Sequence, residues 1–339
     1  MGISRLVPEG GQPLLEAMAF WVDEPGIGVL RRQPIARAAD DDVLVRTSYT
    51  GISRGTEASV FLGRVPVSEH ERMRAPFQEG DFPGPVKYGY LNVGVVEQGP
   101  ESLRGRTVFT LFPHQSAFVV PADAVIPVPR GVPARRAVLA GAVETAVNVL
   151  WDAGPLIGDR VTIVGAGMIG CCIARLMRSI PELDVVLVDV DTSRREVADR
   201  LGVRFAEPGD APKDRDLVIN TSGSEAGLQL ALESVVTDGE VIEASWYGDR
   251  PVTLALGADF HSRRLTIRSS QVGAVARRRR GTRTSRDRLT LALDLLQDAA
   301  FDTLLTGHSP WSDLPAVMAG LAAGRSTELC HTIDWKDAP

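Results

Sequence analysis

The sequence predicts an α/β chain of two domains, a β-rich first unit followed by a doubly wound parallel sheet. Three observations carry this expectation. The chain has 339 residues, about twice a typical domain of roughly 150 residues. Its first part, up to Pro133, is rich in Pro, Gly and short apolar stretches. Beyond Pro133, strand-like and helix-like segments alternate, as they do where helices cover both faces of a parallel sheet.

In chain order, residues 43–49 (V-L-V-R-T-S-Y) alternate like a strand, and so do 94–97 and 106–111. Residues 118–120 and 124–128 read as two more short strands with Pro punctuation. Many short strands with few helical periods suggest a barrel-like β unit. Residues 134–151 contain no Pro and read as one helix, with Ala137, Leu139, Ala140, Val143, Val147 and Leu150 apolar. A strand follows at 161–164, a helix at 168–180 and a strand at 184–190. The helix of 193–201 ends at Gly202, a residue suited to the left-handed position after a helix. Then come a strand at 217–220, a helix at 225–236 and a strand at 240–245. Past Arg268 the pattern loosens, with helices expected at 289–297 and 314–323 and a short strand at 331–335.

Composition excludes several classes. Hydrophobic residues make up 44% and charged residues 24%, ordinary for a globular chain. Lys and Arg number 37 against 43 Asp and Glu, a net charge of −6, which argues against nucleic-acid or anionic-membrane partners. Three cysteines, two adjacent at 171 and 172, make neither a disulfide framework nor a four-thiolate zinc site. The longest nearly apolar run, 163–174, is far short of the roughly 20 residues of a membrane span. Residues 1–12 carry Arg5 and Glu9 and no apolar core of a signal peptide. Leu6 stands where a myristoylation signal needs Ser or Thr. A cytoplasmic location is expected.

The sharpest motif is Val161-Thr-Ile-Val-Gly165-Ala-Gly167-Met-Ile-Gly170. It has the context that a G-x-G-x-x-G needs: a strand before it, a helix after it, and an acid, Asp189, 19 positions beyond Gly170 at the end of the next strand. Gly165 would allow the tight turn, Gly167 would let a pyrophosphate approach the backbone, and Gly170 would let helix and strand pack closely. The helix start offers unpaired N–H groups to phosphate. Asp189 would accept hydrogen bonds from the adenosine ribose and repel a 2′-phosphate, so NAD is expected ahead of NADP. Arg194 and Arg195 would pair with a 2′-phosphate, lie against the adenine, or stand on a solvated helix face. The expected cofactor-binding residues are Gly165, Gly167, Met168, Ile169, Gly170, Asp189, Arg194, Thr145 and Ser222.

Thr50-Gly-Ile-Ser-Arg-Gly-Thr-Glu57, residues 89–97, 118–128 and 139–150, and the nucleotide motif together resemble the medium-chain dehydrogenase/reductase superfamily, the zinc alcohol dehydrogenases, over nearly the whole length. The resemblance implies a GroES-like β-barrel catalytic domain at 1–133, a Rossmann doubly wound parallel sheet at 134–275, and a segment 276–339 returning to the first domain. The catalytic cleft would lie between the two. G-I-S-x-G-T-E resembles the bacteriochlorophyllide a dehydrogenase branch, whose members look like NAD-dependent oxidisers of a secondary alcohol on a bulky ring. Of this, the reaction type carries over more readily than the substrate. The resemblance also implies a homodimer paired through edge strands, here 252–256 or 265–269.

The departures concern the metal. Where zinc members place Cys in a G-I-C-G-T-D-like stretch, the position falls on Ser53 or Arg54. The G-H-E that supplies their histidine is Gly89, Tyr90 and Leu91 here, and another cysteine position is Gly141, before Thr145. The four-Cys structural lobe has no counterpart, so no catalytic or structural zinc is expected.

Hydride transfer to a carbonyl leaves charge on oxygen, and without a metal a hydrogen-bond donor must stabilise it. Tyr90 stands at the position of a zinc-ligating His, either as that donor or as a packing residue in the vacated metal seat. Lys87, near Tyr88, is either an acid or base with a lowered pKa in an apolar cleft or a solvated surface lysine. Thr56 is a candidate proton relay, and Glu57 a structural group paired with an arginine. Thr145 would pack near the nicotinamide face. Among the histidines, none spaced as metal ligands, His70 falls in an exposed helix over 69–74, His114 would line the cleft, and His331 would pack at a strand start. Residues 277–288 hold seven arginines, either a clamp for substrate carboxylates or phosphates or a solvated loop. The function expected is NAD(H)-dependent interconversion of a small-molecule secondary alcohol and a carbonyl without zinc. The alternatives are an NADPH-dependent enone or quinone reductase, and a non-catalytic dinucleotide-binding protein.

Overall fold

The computed structural model describes residues 15–257 and 259–339; the reading of residues 1–12 lies outside them. The strand Arg160–Val164 runs through the middle of a six-stranded sheet, all parallel. Its spatial order is Arg204–Ala206, Asp184–Val188, Arg160–Val164, Arg215–Asn220, Val235–Glu243, Thr266–Ser269. Counted along the chain this is 3-2-1-4-5-6, the doubly wound order, in which direction reverses between the first and fourth strands and a crevice opens at their carboxyl ends. The near-continuous apolar runs suit strands covered on both faces: Val161, Ile163, Leu187, Val188, Val218 and Ile219 are all buried.

The first unit holds two further sheets. A hairpin of Glu16–Glu24 and Ile27–Pro34 joins the short strands Val86–Lys87 and Glu79–Gly80. The larger sheet runs Gly307–Pro310, His331–Asp334, Asp42–Ile52, Asn92–Gln98, Thr107–Thr110, Val125–Pro127, with Ala117–Pro121 also on Asp42–Ile52. Chain from beyond the parallel sheet thus completes the N-terminal sheet, beginning at Gly307. The preceding helix Ser285–Leu295 still packs with Ala140–Ala153 in the second unit's core.

Several expectations need correction. The helix of 134–151 is two helices, Ala134–Ala137 and Ala140–Ala153. Between them the chain tightens, with Leu139 N–H donating to Arg136 O, three residues back, as Val138 packs against Gly51. The helix of 225–236 ends at Ser234, because Val235 already belongs to the next strand. Residues 69–74 form no exposed helix; there is a single turn at Val67–Glu69, and the His70 ring lies half-buried, 5.5 Å from Phe82. The outer strand of the parallel sheet is Thr266–Ser269, and 252–256 is not a strand. The helix expected from 289 starts at Ser285, where Thr284 and Asp287 exchange side-chain and backbone hydrogen bonds in a capping box. Among the described residues no helix is long and apolar enough to cross a membrane.

The arginine-rich segment divides. Residues 277–287 are exposed, whereas Arg288 is 1% exposed. Its Nε donates to Glu144 Oε1 at 3.0 Å, and its other nitrogens to Asn148 Oδ1 and to the carbonyls of Val272 and Ala274. Asn148 Oδ1 also accepts Ala276 N–H at 2.9 Å. The loop that follows the edge strand is therefore pinned to the helix Ala140–Ala153. Removing one partner of a buried ion pair leaves an uncompensated charge, so Arg288→Ala is expected to lose about 3–5 kcal/mol of stability, read as a fall in the denaturant midpoint. A variant within about 1 kcal/mol of wild type would show that the pair is dispensable.

Candidate functional site

The glycine turn meets each of the three requirements set by its motif. Gly165 has φ +104°, and a Cβ there would lie 2.7 Å from Ser222 N. At Gly170 a Cβ would stand 1.9 Å from Gly165 O, so helix and strand approach closer than any side chain permits. At Gly167, by contrast, a Cβ would meet nothing within 4 Å. That is open space over the backbone where a ligand would sit. The helix Met168–Arg178 starts here with Gly167 as its N-cap and no side-chain cap, so its first N–H groups are left for a ligand. Met168 is buried and Ile169 half-buried at this start. Ser222 closes the other side of the turn, its hydroxyl donating to Asn220 Oδ1 at 2.8 Å.

Asp189 ends the next strand and points its carboxylate at the turn. Oδ2 accepts Ala166 N–H at 2.6 Å and Oδ1 accepts Asp191 N–H at 2.8 Å. Arg194 is not on a solvated face. It is buried, 3.2 Å from Asp191 Oδ2, and donates to Thr327 O. Arg195 remains half-exposed, its guanidinium 4.8 Å from the Phe205 ring. Arg54 of the first unit also reaches this group, where burial, and then the charge of Arg194, lower its pKa. Its guanidinium donates to Ser326 O and Glu328 O at 3.4 Å. Sequence reasoning weighed Arg54 only as an empty cysteine position.

The second cluster is built around Tyr90. The helix Arg54–Phe61 begins after Ser53, whose N–H donates to Glu57 Oε1 at 2.8 Å. This side chain folding back onto the helix start fixes the first turn. Glu57 is 3% exposed and its partner is His114, not an arginine: Oε2 lies 2.7 Å from Nε2. His114 Nδ1 is 2.7 Å from Thr50 Oγ1, and Trp335 Nε1 donates to that same oxygen at 2.9 Å. A carboxylate only accepts, so Nε2 carries the proton that faces Glu57. Tyr90 is half-buried and packs against both large apolar cores, at the junction of the two units. The hydroxyls of Ser53 and Thr56 lie close to its phenol and act to lower its pKa. Burial, and then the Glu57 charge, push its pKa up to about 12. Tyr88 stacks edge-on to it at 6.0 Å.

Tyr90 and Thr56 thus come together, with Ser53, Glu57 and His114. Lys87 does not join them, nor is it a surface lysine. It is fully buried, salt-bridged to Glu79 and donating to Gln115 Oε1 at 2.5 Å, with the Trp21 and Phe112 rings within 6.0 Å. Thr145 is half-buried, its hydroxyl donating to Gly141 O at 2.9 Å. His331 is buried at the start of its strand, 2.6 Å from Glu328 Oε2. At the tips of the parallel strands a set that sequence reasoning missed holds the loops. Asn220 Nδ2 donates to Glu243 Oε2 at 2.7 Å, and Tyr247 OH donates to the same oxygen at 3.0 Å.

The positions that the resemblance matches to zinc ligands carry Ser53 or Arg54, Tyr90 and Gly141, and among the described residues no three His, Cys, Asp or Glu side chains stand together to hold a metal. Burial pushes the thiols of Cys171 and Cys330 up to about 12 and that of Cys172 well above its ordinary value. Zinc takes thiolate, imidazole or carboxylate ligands converging on one point.

No protein-family model matches the chain. It is 31% identical over 239 residues to the L-threonine 3-dehydrogenase of Anaeromyxobacter dehalogenans, covering 62% of this chain and 67% of that one. It is 25% identical over 148 residues to the 2-dehydro-3-deoxy-L-galactonate 5-dehydrogenase of Pseudoalteromonas atlantica, covering 40% of this chain and spanning only 43% of that relative's length. Among solved structures, the acetophenone reductase of Geotrichum candidum in complex with NAD superposes with a TM-score of 0.76 at 19% identity, over 97% of this chain and 100% of that one. The chain belongs to the medium-chain dehydrogenase/reductase family.

Proposed function

We propose that the protein is an NAD(H)-dependent oxidoreductase that interconverts a small secondary alcohol and its carbonyl compound without a catalytic metal, with Tyr90 as the hydrogen-bond donor to the reacting oxygen. The observation that carries this reading is a phenol at the position where the resemblance puts a zinc-ligating histidine, close to the Ser53 and Thr56 hydroxyls and beside the buried Glu57 carboxylate. The names of the relatives, dehydrogenases of threonine and of a sugar acid, support the reaction class.

Gly165, Gly167, Gly170, the first helix N–H groups, Asp189 and Ser222 would hold the dinucleotide, and Arg54 stands near enough to Asp189 to meet its phosphates. When bound, the nicotinamide gives or takes the hydride. The chain's own part is to handle charge and proton at the oxygen. A phenol with its pKa raised by burial keeps its proton across the physiological range, so it donates to the developing oxyanion instead of acting as a base. Thr56 and Ser53 stand close to it and would pass a proton onward. Glu57 holds those hydroxyls and the helix start in place through Ser53 N–H. The edge strand Thr266–Ser269 suits pairing with a second copy in a homodimer.

Three measurements test this reading. Tyr90→Phe is expected to lower kcat on a panel of secondary alcohols and ketones by about 10²–10⁴-fold, the usual contribution of a positioned acid, with NADH binding retained. Full activity in that variant would remove Tyr90 from the chemistry. Dialysis against a chelator should leave turnover unchanged; loss that zinc restores would overturn the metal-free assignment. Removing the Glu57 charge relieves its repulsion of the phenolate, so in Glu57→Gln the ultraviolet phenolate signal of Tyr90, isolated by subtracting Tyr90→Phe, should appear at lower pH than its wild-type value of about 12. An unmoved titration would uncouple the two groups.

A further inference from the structure

The exposed arginines take no part in that reading, yet a cavity lies at their root. It has a volume of about 480 Å3 and is lined by Leu150, Trp151, Gly154, Pro155, Ile180, Arg278 and Arg279. The helix Ala140–Ala153 ends there and leads into the first residue of the strand Arg160–Val164, and Ile180 likewise precedes Asp184–Val188. The cavity is therefore at the amino ends of the parallel strands, opposite the glycine turn.

Its chemistry is divided between carbon and positive charge. Leu150, Trp151, Pro155 and Ile180 supply an apolar wall. Arg278 fills the space that a side chain at Gly154 would occupy: a Cβ there would come within 1.8 Å of its guanidinium. Arg279 lies over the Trp151 ring at 6.0 Å. Both cations are seated by contacts that leave their N–H donors uncommitted. Of the seven arginines in 277–288, Arg288 is the one with a carboxylate partner among the described residues. Elsewhere arginines find acids readily, as Arg136, Arg175 and Arg215 do, in a chain with more acids than bases. Two like charges sharing one cavity repel, and a bound anion removes that repulsion while a planar guanidinium matches carboxylate, sulfonate or phosphate oxygens in pairs. The volume is that of a small-molecule site.

We propose that this cavity binds a small aromatic acid, its ring against Trp151 and its anionic group between Arg278 and Arg279. The site is separate from the dinucleotide turn and does not depend on the proposed reaction. The test uses the full chain, saturated with NADH, and the fluorescent probe anilinonaphthalene sulfonate. One dye per chain is expected to bind and to stay bound in excess NADH. The double variant Arg278→Gln/Arg279→Gln, checked for an unchanged melting curve, should bind the dye about tenfold or more weakly. The uncharged phenylnaphthylamine should not distinguish the two proteins. Equal dye affinity in the variant, or complete displacement of the dye by NADH, would sink the proposal. Should NADH itself fail to bind, the oxidoreductase reading falls while the dye titration without nucleotide still decides this one.

Discussion

The Glu57 carboxylate is the hinge of the site. It is buried, and a buried charge persists only where donors replace water. Ser53 N–H and His114 Nε2–H are those donors, and hydrogen bonds to a charged group contribute about 1.5–3 kcal/mol each. Through them the acid joins the start of a helix, a loop beyond the strand Thr107–Thr110 and, by way of Thr50, the Trp335 indole. Tyr90 sits beside this charge, which adds to the effect of burial in raising its pKa. These buried donors thereby fix Glu57, and with it the helix start beside Tyr90.

Both units are needed to assemble the surroundings. Tyr90 packs against two apolar cores, one centred on the first unit and one running from the helix Ala140–Ala153 into the parallel sheet. Arg54 reaches from the first unit to the acids of the second. On the far side, Arg288 secures the backbone of Val272 and Ala274 to the same helix. Residues around the site are therefore held by buried polar contacts and do not hang from free loops, which is what positioning of reacting atoms demands.

The parallel sheet was legible almost strand for strand, because its signals are local: apolar runs, a glycine turn, an acid at fixed spacing. The tight turn at Gly165 and the close helix–strand approach at Gly170 were legible for the same reason. The first unit was less so. The hairpin of Glu16–Glu24 and Ile27–Pro34 shows no clean alternation, since four consecutive residues, Ala17 to Phe20, are buried. The helix Arg54–Phe61 contains Gly55 and Thr56, both poor helix formers, and is held by Glu57 folding back. Pairings across long separations left no trace in the sequence. Glu57 with His114, Arg194 with Thr327 O and Lys87 with Gln115 are products of tertiary packing, and no spacing rule reaches them. Lys87 shows the limit most clearly. Residue type alone argued for solvent, and the aromatic rings with one acid and one amide turned it inward.

The strand His331–Asp334 lies between Gly307–Pro310 and Asp42–Ile52 in the first unit's sheet, and Trp335 reaches Thr50 across 285 positions of sequence. A ribosome must therefore deliver the whole nucleotide-binding unit before the first unit has all its strands. Until then the edge of Asp42–Ile52 is an unpaired ladder, and the unit that is synthesised first is completed last. The second unit, whose strands follow one another closely, is free to form early and to serve as the surface on which the first is finished.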